Sequence, residues 1–379
     1  MNYINSRRLS MPNFGYDHYV PILKGKLGEF NALYELQDQI KDKITPLIEA
    51  PPIPLNYDTG DPSKTVDEHI KNFIPNIKKY WGTVNSAFVD LNFIPDNKGS
   101  NGRHPLDNVF RQARTENLSL IPVTGLYRDD DYQLAVKEIT HEDGRGVCIR
   151  ILPSDIENEE LDASIVELIE ALNVSKFETD LIIDLKEIQK DQIGLLVRSV
   201  RDVIRNLSNP KDWRTLTLVA TAFPQTMAGF EPNTVSLTNR VEWQLWTTLL
   251  HNIAKIPRMP TFGDYTVVHP ELLEIDPRIM QLGAKIKYTF DNDWIIVKGT
   301  SIKTGGTEQN RELCKNLTNL KEYSKPEFSW GDQFIQDCAN GTRGVGNQTN
   351  WVSVGVNHHI TFVVKQLSNY LASSTNPSS

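Results

Sequence analysis

Polar side chains follow several short apolar segments of the sequence, a pattern typical of strands that end at a functional surface. Residues 20–23 form one such segment, and Lys24 and Lys26 come directly after it. Lysine and arginine bind phosphate and carboxylate groups, whereas carboxylates act as general acids or bases or hold Mg²⁺. Eight residues have this placement: Lys24, Lys26, Glu49, Asp90, Arg150, Asp184, Asp264 and Tyr265.

These residues predict an anion-binding site with acid–base groups beside it. Acid–base catalysis is assigned to Asp184, Asp90 and Glu49. Ligand binding is assigned to Lys24, Lys26, Arg150, Asp264 and Tyr265. Buried charges must be paired or they lose their charge. The same residues are therefore also compatible with a purely structural network of salt bridges.

The apolar segments alternate with amphipathic patterns of helical period along most of the chain. Because these segments are apolar almost throughout, they are typical of parallel strands that helices cover on both faces. Eight such units predict a closed (β/α)₈ barrel, the TIM-barrel architecture, in which strand C-termini form the functional face. An open doubly wound sheet is the main alternative, but its glycine-rich first turn is missing. The predicted strands end near residues 23, 49, 92, 124, 152, 185, 221 and 268.

The alternation breaks beyond residue 268, where residues 284–299 predict an added antiparallel hairpin. Helices are predicted at 308–320, 330–338 and 356–370, and residues 222–240 are interpreted as an insertion. We expect a single barrel domain over residues 16–370. Residues 1–15 are interpreted as a flexible arm and residues 371–379 as a disordered tail.

Other chemistries have weaker support in the sequence. Lys24 resembles in its position the lysine that holds the cofactor in barrel-type pyridoxal-phosphate racemases, but no phosphate loop follows the seventh strand, so we favour anion binding. The pair His358-His359 is interpreted as a half-buried helix start rather than a zinc site, and no metal is assigned. The loop 341–346 is glycine-rich, but its spacing matches no known phosphate loop, which favours a plain turn flanked by Trp330 and Trp351.

The bulk composition limits the class of protein. A formal net charge of −8 and a pI near 5.6 exclude a surface that attracts nucleic acid non-specifically. The three cysteines are far apart in sequence and are interpreted as reduced thiols of a cytoplasmic protein. No apolar run approaches the roughly 20 residues that cross a bilayer, so no membrane partner is expected.

The chain resembles the beta family (beta protein) of bacterial and phage proteins, on the segments 19–29, Asp264-Tyr265 and 294–299. The likeness extends over about residues 16–370. The resemblance implies an accessory protein of mobile elements, near phage-defence or toxin–antitoxin genes. It supplies no established catalytic residues and no cofactor.

Two functions are compatible with the sequence. In the first, the charged barrel mouth binds a phosphorylated small molecule, a nucleotide or a nucleic-acid end, with or without hydrolysis. In the second, the protein is a non-enzymatic sensor, inhibitor or immunity protein that recognises a phage or toxin protein through its insertions, at 51–64, 222–240 and beyond 268.

Overall fold

The computed structural model describes residues 13–95, 99, 102–271, 276, 278–279 and 282–375. Most of the predicted N-terminal arm and residues 376–379 of the predicted tail lie outside these residues. The strands are β1 (Tyr19–Leu23), β2 (Leu47–Glu49), β3 (Ala87–Asp90), β4 (Leu120–Thr124), β5 (Val147–Ile151), β6 (Thr179–Glu187), β7 (Thr215–Thr221), β8 (Thr234–Asn239), β9 (Thr261–Asp264), β10 (Gly283–Phe290) and β11 (Asp293–Ser301).

The helices fall between and after these strands. They are α1 (Leu27–Tyr34), α2 (Asp38–Lys41), α3 (Val66–Ile70), α4 (Phe73–Tyr80), α5 (Pro105–Thr115), α6 (Asp130–Asp143), α7 (Pro153–Ile156), α8 (Leu161–Leu172), α9 (Ile193–Asn206), α10 (Val241–His251), α11 (Ile302–Gly305), α12 (Gln309–Thr318), α13 (Trp330–Asn340) and α14 (Gln348–Thr375). Among the described helices, none is long and apolar enough to cross a bilayer.

Strands β1 to β7 and β9 form a closed parallel barrel in sequence order, and β1 pairs with β9 to close it. The predicted (β/α)₈ fold is confirmed. Alternate residues of each strand point into the barrel, where apolar side chains such as Val20, Ile22, Phe88 and Ile182 form its inner core. The other face of each strand packs against the helices in a larger core.

The predicted hairpin of β10 and β11 is confirmed, but it is part of a larger unit. Strand β8, inside the segment interpreted as an insertion, pairs antiparallel with β11 and extends the hairpin to a three-stranded sheet. This sheet packs on α12, α13 and the first half of α14 around its own apolar core. We refer to these elements as the second lobe.

Helix α14 connects the second lobe with the barrel. It begins at Gln348, where Asn347 Oδ1 accepts a hydrogen bond from the amide of Asn350, and it packs along α1. Because α14 begins eight residues before the predicted start, His358 and His359 lie inside it and are fully buried. The interpretation of this pair as a half-buried helix start is therefore wrong.

Candidate functional site: the barrel mouth

Six of the eight predicted site residues meet at the C-terminal end of the barrel strands. They share one feature: each lies at or just beyond the end of a strand, two positions after a residue that faces into the barrel. As a result, strand alternation places them directly above the inner core. They are Lys24, Glu49, Asp90, Arg150, Asp184 and Tyr265, which directly follows β9.

Arg150 lies at the centre of this group. Its Nη1 donates to Glu49 Oε1 at 2.7 Å and to Asp90 Oδ2 at 2.8 Å. Its Nε donates to Asp184 Oδ2 at 2.9 Å, and its Nη2 donates to the hydroxyl of Tyr265 at 2.7 Å. The planar guanidinium therefore connects Asp184 of β6 with the adjacent strands β2 and β3 across the barrel, a geometry that a lysine cannot provide.

Lys24 completes the buried floor of the mouth. Its amine donates to Glu49 Oε2 at 2.5 Å and to the carbonyl of Pro270 at 2.6 Å. The ring of Tyr265 lies 5.1 Å from the amine. Lys24 is 1% exposed, so its charge is compensated inside the protein rather than by water.

Two basic residues that the sequence analysis missed form the rim above this floor. Arg128 Nη2 donates to Asp90 Oδ1 at 2.9 Å, and Lys186 Nζ lies 3.0 Å from the Tyr265 hydroxyl and 3.2 Å from Asp184 Oδ2. Their side chains are 14% and 28% exposed, whereas the carboxylates that they contact are fully buried. We refer to Lys24, Glu49, Asp90, Arg128, Arg150, Asp184, Lys186 and Tyr265 as the mouth cluster.

The cations of the mouth cluster lower the pKa values of two of its carboxylates, Asp90 and Asp184. Burial alone would raise the pKa of Asp184, but the positive charges of Lys186 and Arg150 outweigh it, so the pKa of Asp184 lies below its ordinary value. The pKa of Asp90 is lowered in the same way, because Arg128 and Arg150 outweigh the effect of burial. Four cations face three carboxylates, which leaves one net positive charge.

The backbone is left-handed directly after Lys24 and at Lys186. Gly25 has φ +61°, and a Cβ on it would lie 2.7 Å from the carbonyl oxygen of Glu49. Lys186 has φ +57° although it is not glycine, and the pairing of β6 with β7 shifts register between Asp184 and Glu187. Such conformations and bulges concentrate at functional sites.

Two predicted site residues lie apart from the mouth cluster. Asp264 precedes Tyr265 and points outward, where its carboxylate accepts hydrogen bonds from the Tyr19 hydroxyl at 2.5 Å and from His359 Nε2 at 2.9 Å. Lys26 is exposed and directly precedes α1, and its amide nitrogen donates to Glu29 Oε2 at 3.1 Å. Neither side chain shares a hydrogen bond with the cluster among the described contacts.

Comparison with known proteins gives the family. The model of the Beta protein family matches residues 19–365, nearly the whole chain. The chain belongs to the Beta protein family. No curated protein matches its sequence significantly.

Solved structures with a similar fold share little sequence with this Beta protein. The 3-hexulose-6-phosphate synthase from Salmonella typhimurium is 12% identical, with a TM-score of 0.33, over 65% of this chain and 88% of that one. A type I 3-dehydroquinate dehydratase from Clostridium difficile is 9% identical, with a TM-score of 0.37, over 69% and 88%. The YdjI aldolase from Escherichia coli K12 is 8% identical, with a TM-score of 0.34, over 92% and 91%.

The lowered pKa values of Asp90 and Asp184 predict acid sensitivity of the Beta protein. A carboxylate whose pKa is lower in the folded than in the unfolded state stabilises the fold above its unfolded pKa, and this contribution is lost as pH falls through the folded pKa. We therefore expect the melting temperature to fall steeply below about pH 4, the ordinary pKa of aspartate. The variant Asp184→Asn should have a shallower fall over this range, measured by calorimetry between neutral and strongly acidic pH.

The exposed Asp202 on α9 provides the control for this titration, because its only described partners are Arg201 and Arg205 at 3.6 and 4.0 Å on the surface. In Asp202→Asn the melting temperature should fall with pH as steeply as in the parent protein. An unchanged slope in Asp184→Asn would show that the charge of Asp184 is not specifically stabilised by the fold.

Proposed function

We propose that the barrel mouth of this Beta protein binds a phosphorylated ligand, either a nucleotide or a phosphorylated nucleic-acid end. One observation carries the proposal: Arg128 and Lys186 stay partly exposed at the rim of the mouth cluster, and with them the cluster has four cations for three carboxylates. An anion at this position would offset the excess positive charge. Charge-assisted hydrogen bonds from arginine and lysine are the usual means of holding phosphate.

The contacts within the cluster divide its members between two roles. Lys24 and Arg150 donate to buried carboxylates and are at most 2% exposed, so they hold the floor of the mouth rather than the ligand. Arg128 and Lys186 are the residues that would touch a phosphate. Tyr127, which is 75% exposed and next to Arg128, offers a ring on which a base could stack.

Binding is better supported than hydrolysis. A general base works best when its pKa lies near the working pH. The pKa values of Asp90 and Asp184 are lowered by neighbouring cations, and both side chains already accept hydrogen bonds from Arg150. Catalysis by Asp184, Asp90 and Glu49 stays a prediction, and we propose a binding protein.

The proposal is tested by calorimetric titration of the purified protein with inorganic phosphate, adenosine 5′-monophosphate and a 5′-phosphorylated oligothymidine. We expect saturable binding of at least one phosphorylated probe. Lys186→Met should weaken it roughly 10- to 100-fold, because a hydrogen bond to a charged group contributes about 1.5–3 kcal/mol. Adenosine and unphosphorylated oligothymidine should bind far more weakly than their phosphorylated forms.

Lys190→Met is the matched control for this experiment. Lys190 is exposed, lies four residues beyond Lys186 and donates to Asn239 Oδ1 at 3.0 Å, away from the mouth cluster. Its replacement should leave the affinity unchanged. The proposal fails if no phosphorylated probe binds, or if Lys186→Met and Lys190→Met bind equally well.

The biological setting that we propose is phage defence, as the family resemblance suggests. A second candidate function, recognition of a phage or toxin protein, is favoured by strand β8. This strand is an edge of the second-lobe sheet, and it exposes Val235 by 41% and Leu237 by 65%. Edge strands with apolar side chains can accept a strand from a partner protein. A partner captured by the parent protein but not by a Leu237→Lys variant would support this second function.

A further inference from the structure

A second concave site lies between the barrel and the second lobe, outside the mouth cluster. It is a cavity of about 420 Å³, within the size range of small-molecule sites. Val267 and Val268, which follow β9, form its barrel side. Its other walls come from β10, from α12 and from the start of α14.

Two lysines of β10 line this cavity. Lys285 and Lys287 lie on one face of the strand because side chains alternate, while Ala284, Ile286 and Tyr288 belong to the core of the second lobe. The amine of Lys287 donates to the carbonyl of Val267 at 2.7 Å, and its protonated form has two further protons to donate. Lys285 has no hydrogen bond or salt bridge among the described residues.

In the described part of the chain, neither lysine of this cavity has a carboxylate within salt-bridge distance. Lys285 also lies opposite Lys298 of β11, a like-charged cross-strand pair. Burial lowers the pKa of Lys287 to about 7, and the charge of Lys285 adds to this effect. A bound anion would relieve the repulsion between these amines.

The lining of the cavity also includes a neutral acceptor and an aromatic ring. Asn310 is 2% exposed, and its Oδ1 is buried without a hydrogen-bond partner. Its Nδ2 donates to the carbonyl of Val345 at 3.2 Å, as does Trp351 Nε1 at 3.1 Å, so both side chains are held in place. A buried acceptor without a donor is costly, which points to a ligand N–H or O–H group at this position.

We propose that this cavity binds a small aromatic carboxylate that carries a ring N–H or O–H donor. The carboxylate would contact Lys285 and Lys287, the ring would pack beside Trp351, and the donor would satisfy Asn310. This site does not depend on the proposed function of the barrel mouth, because no residue of the mouth cluster lines it.

The test uses the full-length protein and ligand pairs that differ by one feature. Indole-3-acetate has the ring, the N–H and the carboxylate, and we expect saturable binding in the micromolar to millimolar range by calorimetry and saturation-transfer NMR. Naphthalene-1-acetate lacks the N–H, and indole-3-ethanol lacks the charge. Each should bind at least about fivefold more weakly, a comparison that needs no protein variant.

A protein variant locates the binding. Lys285→Met should weaken binding of indole-3-acetate about tenfold. Lys303→Met, at an exposed lysine of α11, which directly follows β11, should leave it unchanged. Both variants should keep the melting temperature of the parent protein within a few degrees.

Three results would overturn the proposal: no saturable binding of indole-3-acetate, equal affinity for the charged and uncharged ligands, or equal affinity of the two lysine variants. Binding of phosphorylated probes at the mouth would be unaffected in all three cases. The two sites are therefore tested separately.

Discussion

Replacing Arg150 by methionine is expected to lower the free energy of unfolding by about 3–5 kcal/mol, the range for removal of one partner from a buried salt bridge. The guanidinium donates to Glu49, Asp90 and Asp184 and to the hydroxyl of Tyr265, and the side chain is 2% exposed. Methionine fills a similar volume but leaves these carboxylates to the remaining cations of the mouth cluster. Urea denaturation followed by circular dichroism measures the change.

Arg198→Met is the control, because Arg198 is exposed on α9 and its replacement should change stability by less than about 0.5 kcal/mol. A second comparison isolates the electrostatic cause. Adding Asp184→Asn to Arg150→Met removes a buried carboxylate that has lost its guanidinium partner, so the double variant should be more stable than Arg150→Met alone. If Arg150→Met stays within about 1 kcal/mol of the parent, the cluster does not hold its carboxylates as the contacts indicate.

The mouth residues that the sequence predicted point to the same side of their strands as the residues of the inner core. In β5, Cys148 lies inside the barrel and Arg150 follows two positions later; in β6, Ile182 and Asp184 have the same relation. Because the side-chain period of a strand is two, a polar residue in this phase near a strand end must point into the mouth. Strand ends alone therefore predicted most of the cluster.

The same rule explains why Asp264 lies elsewhere. Tyr265 is in phase with the inner core, so the residue before it must point outward, towards α14. The sequence contained this information, but the prediction took both neighbours as site residues. Lys26 is separated from β1 by Gly25, whose positive φ ends the strand and with it the alternation.

The two rim residues differ in how far the sequence could have revealed them. Lys186 lies two positions beyond Asp184, at the bulge of β6, so a longer predicted β6 would have included it. The predicted strand stopped at residue 185. Arg128 lies in the loop between β4 and α6, where no periodicity operates, and only the folded loop brings it to Asp90.

The second lobe was only partly predictable, because its sheet depends on pairing between distant segments. The hairpin of β10 and β11 is local and follows from its turn at 291–292. Strand β8 pairs with β11 although β9 lies between them in the sequence. Its apolar residues Val235 and Leu237 are exposed rather than buried. A strand that contributes its backbone to a sheet, but not its apolar side chains to a core, has no distinctive periodic pattern.

Replacing Asp264 by alanine is expected to lower the free energy of unfolding by about 3–5 kcal/mol, because three buried donors lose their acceptor. These donors are the Tyr19 hydroxyl at 2.5 Å, the Thr266 amide at 2.8 Å and His359 Nε2 at 2.9 Å. Tyr19 belongs to β1 and Asp264 to β9, the strands whose pairing closes the barrel. His359 belongs to α14, so one carboxylate connects the barrel closure with the last helix.

Hydrogen exchange distinguishes this role from a general loss of packing. In Asp264→Ala, the amides of α14 and of the β1–β9 pair should lose more protection than those of the β5–β6 pair, on the far side of the barrel. Tyr19→Phe removes a single hydrogen bond and should cost about 1 kcal/mol. The surface variant Asp202→Ala should cost less than about 0.5 kcal/mol. A smaller loss in Asp264→Ala than in Tyr19→Phe would contradict the assignment, because the carboxylate would then stabilise less than one of its own contacts.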